Sequence, residues 1–165
     1  MTYETRFGSL DHYEKGSIEI INDNPKHYVF SNIFEVASQS VPYEKTVVGK
    51  NLEFVVEVLR AEGDSAWYAA SHDEFAVVMD GVVTVEFVQL ENPKDIVPAT
   101  REGSVRLAEG PKGRPMGTIK LSRGHQALLP AGAAYRFRAQ TKGVILLQTI
   151  LGEHSVQKWA QICLH

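Results

Sequence analysis

Two stretches of this chain place glycine, proline and one carboxylate at spacings that constrain its fold more than any other feature. In the first, 67–81, Glu74 stands seven residues before the closing glycine in a run of alternating apolar residues. A strand with this spacing carries a carboxylate toward a core and then turns at the glycine. In the second, 124–135, Pro130 lies six residues after the opening glycine, and Gly132 follows. Both stretches therefore predict short strands that end in tight turns.

Period-two alternation of apolar residues fills most of the chain between residues 44 and 151. Short strands with turn signals and almost no long helical pattern are typical of an all-β jelly roll or barrel. A length of 165 residues fits one domain. The predicted strands are 52–59, 74–79, 82–90, 116–121, 125–129, 135–139 and 144–151.

The barrel region is flanked by an N-terminal arm (1–43) and a C-terminal tail (152–165). The arm is polar and rich in turn residues, with a short β-like run at 17–21 and a predicted short helix that begins after Ser31 as its N-cap. The tail is expected to form a terminal helix or strand that places Trp159 and Ile162 on the barrel or across an interface.

A long segment rich in proline, glycine and charge (91–115) separates the two stretches. Common connections are much shorter, so we interpret it as an insertion. It is either a solvated loop or a loop that reaches over a partner. In the second case Arg101, Arg106 and Arg114 are its expected anchors.

The strand 144–151 is apolar at both parities, with Ile145, Leu147 and Leu151 alternating against Val144 and its neighbours. One face of a strand in a small barrel should meet water unless something covers it. The pattern therefore predicts a protein partner on this strand, with Trp159 of the tail beside it.

Composition excludes several other classes of protein. The net charge of −3 gives no electrostatic case for nucleic acid, and no apolar run approaches the length of a membrane span. The single cysteine, Cys163, cannot close an internal disulfide, and the first residues are too polar for a secretion signal. We therefore expect a cytoplasmic protein.

The glycine and proline spacings resemble the two motifs of the cupin superfamily, from about residue 51 to 151. A metal-binding cupin carries histidines six and four residues before the motif glutamate, and another three residues after the last glycine. Those positions hold Tyr68, Ala70 and Tyr135 here, and only Glu74 matches a ligand. Iron, manganese and zinc ions need imidazole or carboxylate donors. The resemblance thus implies a degenerate cupin barrel without a metal.

A barrel of this kind buries Glu74 without an ion, so its carboxylate must be neutralised or hydrogen-bonded. We hypothesise that Tyr135 donates its hydroxyl to Glu74, with Tyr68 or His72 nearby. The alternative is a surface glutamate on a shifted register. His72 lies off the ligand position, and a structural role for it is favoured over a metal role.

A small, ligand-depleted cupin with a long insertion and an apolar strand resembles the small subunit of the two-component hydroquinone 1,2-dioxygenases. The resemblance implies a larger cupin-type subunit that holds non-haem Fe(II) and opens the ring of an aromatic diol, giving 4-hydroxymuconic semialdehyde. It also implies an α2β2 hetero-oligomer in which this chain has no cofactor of its own and shapes the larger subunit.

Two other functions stay open from the residues alone. One is a stand-alone, metal-independent cupin that binds or isomerises a small molecule, with Glu74 and Tyr135 as acid and base. The other is a metalloenzyme ligated through His72 and Glu74, for which two ligands are too few without help.

Overall fold

The strands of this chain form one sheet that curls into a half-barrel. The computed structural model describes residues 8–13 and 18–163, and these residues contain ten strands. The sheet runs in the order β10-β1-β2-β9-β3-β6, and β4 and β5 join the free side of β9. The strands are β1 (Lys45–Asn51), β2 (Phe54–Asp64), β3 (Trp67–Ala70), β4 (Glu74–Asp80), β5 (Val82–Leu90), β6 (Ser104–Leu107), β7 (Gly113–Ser122), β8 (Gln126–Leu129), β9 (Ala133–Ile150) and β10 (Ser155–Val156).

Strand β9 organises the barrel. The sequence predicted two strands here, 135–139 and 144–151, but the structure has one strand of 18 residues. Its second half pairs with β2 on one side and β4 on the other, and its first half pairs with β3 and β5. Because β9 bends between two sets of neighbours, it closes the sheet around a common interior.

Close approach between the β4–β5 turn and strand β9 fixes the end of the hairpin. Gly81 has a φ of 76°, and a Cβ built on it would lie 2.9 Å from the Cα of Gly143. Only glycine adopts that backbone conformation without strain and leaves room for the neighbouring chain. The motif glycine is therefore required by the geometry of the turn.

The interior of the barrel has an apolar end and a polar end. The apolar end is built by residues of five strands that are fully or almost fully buried. The polar end, which we define by Lys45, Glu57, Tyr68, Glu74 and Tyr135, contains charged groups that are equally buried. The apolar residues are Leu59, Ala61, Ala76, Val78, Val83, Val85, Leu121, Phe137, Ala139 and Ile145.

A second apolar cluster covers the outside of β2 and β9. The helix α1 (Ile33–Gln39) begins where the side chain of Asn32 accepts hydrogen bonds from two backbone N–H groups, so Asn32 is the N-cap and the prediction of Ser31 was one residue off. Val36 of this helix packs with Val58, Val144 and Ile162. Ile162 belongs to the short helix α3 (Trp159–Ile162) in the tail.

The segment 91–115 is more ordered than the predicted insertion. It contains a short helix, α2 (Pro93–Ile96), then β6, which pairs with β3, and the start of β7. Val97 and Leu90 pack with Ala69 and Ala134 in a third cluster on the outside of the sheet. In the arm, residues 18–21 form no strand, whereas a 3-10 helix occupies Pro25–His27; Ser17 lies outside the described residues.

None of the helices in the described part of the chain combines the length and apolar character needed to cross a membrane.

Candidate functional site

The structure brings the motif residues Tyr68, Ala70, Glu74 and Tyr135 together inside the barrel. Tyr68 and Tyr135 are direct cross-strand partners, and their ring centroids lie 6.3 Å apart. Glu74 begins β4 and shares its inward face with Ala76 and Val78, so the predicted strand phase agrees with the structure. The alternative of a surface glutamate is wrong, since Glu74 has an exposure of 0%.

Glu74 and Tyr135 influence each other without a well-formed hydrogen bond. Burial raises the pKa of Tyr135 well above its ordinary value, and the nearby charge of Glu74 raises it further. Even so, neither Glu74 oxygen nor the Tyr135 hydroxyl has a hydrogen-bond partner of normal geometry among the described residues. The structure therefore contains the predicted neighbours but leaves their polar atoms unpartnered.

Sequence reasoning missed two further members of this group, Glu57 and Lys45. Glu57 lies on the inward face of β2 with 0% exposure, and its Oε1 accepts a 2.5 Å hydrogen bond from Ser155. Lys45 is 3% exposed and donates to Ser104 at 2.5 Å, with its Nζ 4.3 Å from the centre of the Tyr68 ring. A glutamate between Val55 and Leu59 on one strand face was the signal that could have found Glu57.

The two histidines within the motifs make hydrogen bonds to other residues of the chain. His72 lies between β3 and β4, and its Nε2 contacts Thr149 Oγ1 at 2.9 Å and accepts from the N–H of Ile150 at 3.2 Å. Burial lowers the pKa of His72, which favours the neutral ring that this acceptor role requires. His125 accepts a hydrogen bond from the N–H of Ser122 through Nδ1.

The donor set inside the barrel does not fit a transition-metal ion. At the four motif positions Glu74 is the one carboxylate, and the others offer two phenols and a methyl group. Within residues 8–13 and 18–163, no three histidine, cysteine, aspartate or glutamate side chains are placed to share an ion. We therefore assign no metal-dependent step to this barrel.

Burial also limits acid–base chemistry by the pair Glu74 and Tyr135. Their exposures are 0% and 1%, so a substrate would have to open the barrel before reaching either group. A general acid or base must come within hydrogen-bond distance of the proton that it transfers. The geometry thus favours a closed interior over a stand-alone active site.

Two residues predicted at a partner interface lie inside the chain instead. Ile145 and Leu147 both have 0% exposure and face the barrel interior. The opposite face of the same strand, with Val144 and Leu146, is covered by α1 and α3. Most of both faces is therefore covered within this chain, and Ile150 at the end of the strand stays partly exposed.

The other predicted interface residues are at or near the surface. Arg101 bonds Glu153 at 2.6 Å, and Arg106 is exposed on β6. These three residues, with Trp67 and His154, line a groove at the polar end of the barrel, which we call the mouth groove. Arg114 lies apart from it, exposed on β7; Leu151 is half-buried, and Trp159 packs against the second cluster.

An exposed apolar surface appears on the outside of β2, β4, β8 and β9, and Ile150 is its one member that lies in the strand on which the sequence predicted a partner. Phe75 pairs with Leu128 on one side and with Gln148 on the other, and Phe54 pairs with Ile150 nearby. Phe54, Phe75 and Leu128 are 47%, 38% and 46% exposed. We call Phe54, Phe75, Leu128 and Ile150 the outer patch; contiguous exposed apolar residues of this kind mark interaction surfaces.

Comparison with solved structures gives this architecture a family. A chain of hydroquinone 1,2-dioxygenase PnpCD, solved with Cd²⁺ and 4-hydroxybenzonitrile, is 58% identical over 99% of this chain and 98% of that chain, with a TM-score of 0.91. The chain belongs to the hydroquinone 1,2-dioxygenase family. The enzyme from Sphingomonas sp. TTNP3, solved with 4-hydroxybenzoate, contains a chain with 51% identity, the same coverage and a TM-score of 0.92. The chain is thus a subunit of a dioxygenase complex.

Weaker similarities confirm the cupin fold. A cupin-2 domain protein from Shewanella frigidimarina is 15% identical over 71% of this chain and 89% of that chain, with a TM-score of 0.51. A longer chain in a structure of PnpCD with Fe³⁺ is 10% identical over 83% of this chain but only 37% of its own length, with a TM-score of 0.62. The hydroquinone 1,2-dioxygenase structures therefore contain both a chain like this one and a longer chain that shares its fold. No protein-family model and no curated protein match the chain.

Proposed function

We propose that this chain is the non-metal-binding small subunit of an Fe(II)-dependent dioxygenase that cleaves the ring of hydroquinone to 4-hydroxymuconic semialdehyde. The observation that carries the proposal is the 58% identity to a PnpCD chain over nearly the whole of both chains. The donor-poor interior of this barrel supports the assignment of the iron to the other, longer chain. The complex would be an α2β2 hetero-oligomer that binds the aromatic diol.

The role of the small subunit would be indirect. Its barrel is closed by its own residues, and its polar end offers no open path to Glu74. A rigid domain of this kind stabilises a partner by covering its apolar surface and by holding loops around the partner's active site. We therefore propose that it shapes the iron-bearing subunit and leaves the ring-opening chemistry to it.

The outer patch and the mouth groove are the surfaces that suit this role. The outer patch supplies exposed aromatic and aliphatic side chains, which dominate the buried centres of protein interfaces. The mouth groove supplies Arg101 and Arg106 for a polar rim. Leu151, Trp159 and Arg114 remain proposed contacts outside these two surfaces, whereas Ile145 and Leu147 would contribute only by supporting the barrel wall.

A pair of serine substitutions in the outer patch tests this proposal. Phe75→Ser with Leu128→Ser should weaken assembly with the larger chain at least about tenfold, because it removes two apolar contacts from the interface. Ile119→Ser is a matched control, since Ile119 is 39% exposed on β7, away from the patch. Assembly is measured by sedimentation of the two purified chains, with ring cleavage assayed in parallel.

Unchanged assembly of the double variant would exclude the outer patch as the interface. Failure of the wild-type chain to bind the larger chain at all, or ring cleavage by this chain alone, would contradict the proposed function itself.

A further inference from the structure

Three ionisable side chains lie at the polar end of the barrel, and their formal charges do not cancel. Lys45 lies at the start of β1, Glu57 in the middle of β2 and Glu74 at the start of β4. Their exposures are 3%, 0% and 0%. With each group in its ordinary ionised state, two negative charges face one positive charge in a space closed to water. An uncompensated buried charge is strongly unfavourable, so the group needs one more positive charge.

Several polar atoms of these side chains also lack hydrogen-bond partners. Glu57 Oε2, both oxygens of Glu74 and the hydroxyl oxygen of Tyr135 are buried without hydrogen-bond partners in the described part of the chain. Three carboxylate oxygens therefore lack donors, and the one hydrogen of the Tyr135 hydroxyl is too few for them, although buried polar atoms in folded proteins are nearly always paired. One hydrogen on a carboxyl group would supply a missing donor and cancel the excess charge.

The neighbouring groups do not supply the second positive charge. From β6, Ser104 accepts from Lys45, while Arg106 is exposed at the mouth groove. His72, before β4, is an acceptor at Nε2, and burial lowers its pKa. From the loop before β10, His154 contacts the edge of the Tyr68 ring, and its pKa is lowered by burial and by the charge of Lys45. The remaining neighbours, Tyr68, Thr149 and Ser155, carry no positive charge.

We propose that Glu57 holds a proton at neutral pH, so that Lys45 and this proton together occupy the electrostatic place that a metal ion has in a metal-binding cupin. The inference concerns this chain's own residues and does not depend on the proposed function. Burial, with the charge of Glu74, raises the pKa of Glu57, and this agrees with a proton held there. Tyr135 lies beside the pair and completes the site as a neutral hydroxyl.

Infrared spectroscopy of the carboxyl groups tests the proposal directly. A protonated carboxylic acid has a C=O stretch well separated from that of a carboxylate, and the band shifts in D₂O. Glutamate labelled with ¹³C in this chain alone identifies the band even in a complex with the larger chain. The wild type at pH 7 should show a band equivalent to one protonated glutamate per chain.

The variants give opposite, distinguishable results. Glu57→Gln and Glu74→Gln should each abolish the band, because the remaining carboxylate pairs with Lys45 and needs no proton. Lys45→Met should keep the band and increase it up to twofold, because both carboxylates then need neutralisation. Glu53→Gln, in the exposed turn before β2, is the matched control and should leave the band unchanged.

Stability measurements give an independent test. The folded pKa of Glu57 is raised, so its contribution to stability is complete below the ordinary value of 4.5 and is lost as the pH rises through the folded pKa. The stability of the wild type relative to Glu57→Gln should therefore fall with rising pH over that range. A wild type without the infrared band, or one whose stability depends on a bound Na⁺, K⁺ or Mg²⁺ at constant ionic strength, would overturn the proposal.

Discussion

At the scale of single residues, Tyr135 stands where a metal-binding cupin has a histidine ligand, and its ring packs against aromatic neighbours instead of binding a metal. It is 1% exposed, its ring packs at a tilt against those of Tyr68 and Phe137, and its hydroxyl has no hydrogen-bond partner among the described residues. Removing an unpartnered buried hydroxyl loses no hydrogen bond. Tyr135→Phe should therefore change the free energy of unfolding by less than about 1 kcal/mol, or stabilise the chain.

Tyr135→Ala is the contrasting variant. Loss of a fully buried aromatic ring should cost roughly 3–5 kcal/mol, measured by urea unfolding. If Tyr135→Phe were as destabilising as Tyr135→Ala, the hydroxyl would have an essential hydrogen bond that this structure does not contain.

Asp80 links the N-terminal arm to the barrel by a hydrogen bond. It accepts hydrogen bonds from the N–H of Leu10 and from Arg123, both at 2.8 Å. Burial opposes its ionisation, but these donors outweigh burial and hold the pKa of Asp80 below its ordinary value of 3.8. A lowered pKa gives stability that is present above the unfolded value and is lost as the pH falls through the folded one.

Asp80→Asn should therefore lower the thermal midpoint at neutral pH, and the difference from the wild type should vanish in strong acid. Hydrogen exchange of residues 8–13 gives the local measurement, with faster exchange expected in the variant at pH 7. A difference between the two proteins that grows as the pH falls would contradict this account of Asp80.

At the scale of elements, β9 depends on helices at both ends of the chain to cover its outer face. Ile162 of α3 is 7% exposed and packs with Val36 of α1 and Val144 of β9. Ile162→Ala should destabilise the isolated chain by roughly 2–5 kcal/mol, because it leaves a cavity in this cluster.

Phe54→Ala is the control for that variant. Because Phe54 is 47% exposed, this substitution should lower the free energy of unfolding of the free chain far less. Chemical denaturation of the free chain measures both variants. Equal losses would show that the outer patch is packed in the free chain and is not an open surface.

The elements that could be predicted are those with strong local signals. Alternation and turn glycines located β4, β5, β7 and β8, and the inward face of Glu74 followed from its phase. Contacts between distant parts of the chain could not be predicted. The helices α1 and α3 cover β9, and this packing brings residues over 100 positions apart into contact. For the same reason the sequence predicts Ile145 and Leu147 as partner contacts although they are buried, and no local signal indicates that the Lys45 ammonium enters the barrel.

At the scale of the whole molecule, the chain is a cupin half-barrel with a buried interior, within a family whose structures also contain a longer chain of the same fold. Its interior is polar where a metal-binding cupin has ligands, yet it provides lysine, carboxylates and phenols in place of imidazoles. We propose that the longer chain holds the iron and that this chain provides a stable surface against it.

The metal content of the separated and reconstituted chains is the most direct test of that division. Each chain is purified alone, supplied with Fe(II) without oxygen, desalted and analysed for iron, and hydroquinone cleavage is then assayed before and after the chains are mixed. We predict no stoichiometric iron in this chain, iron in the longer chain or the complex, and full turnover only after mixing. Stoichiometric iron in this chain alone, or turnover by it without the longer chain, would contradict the account.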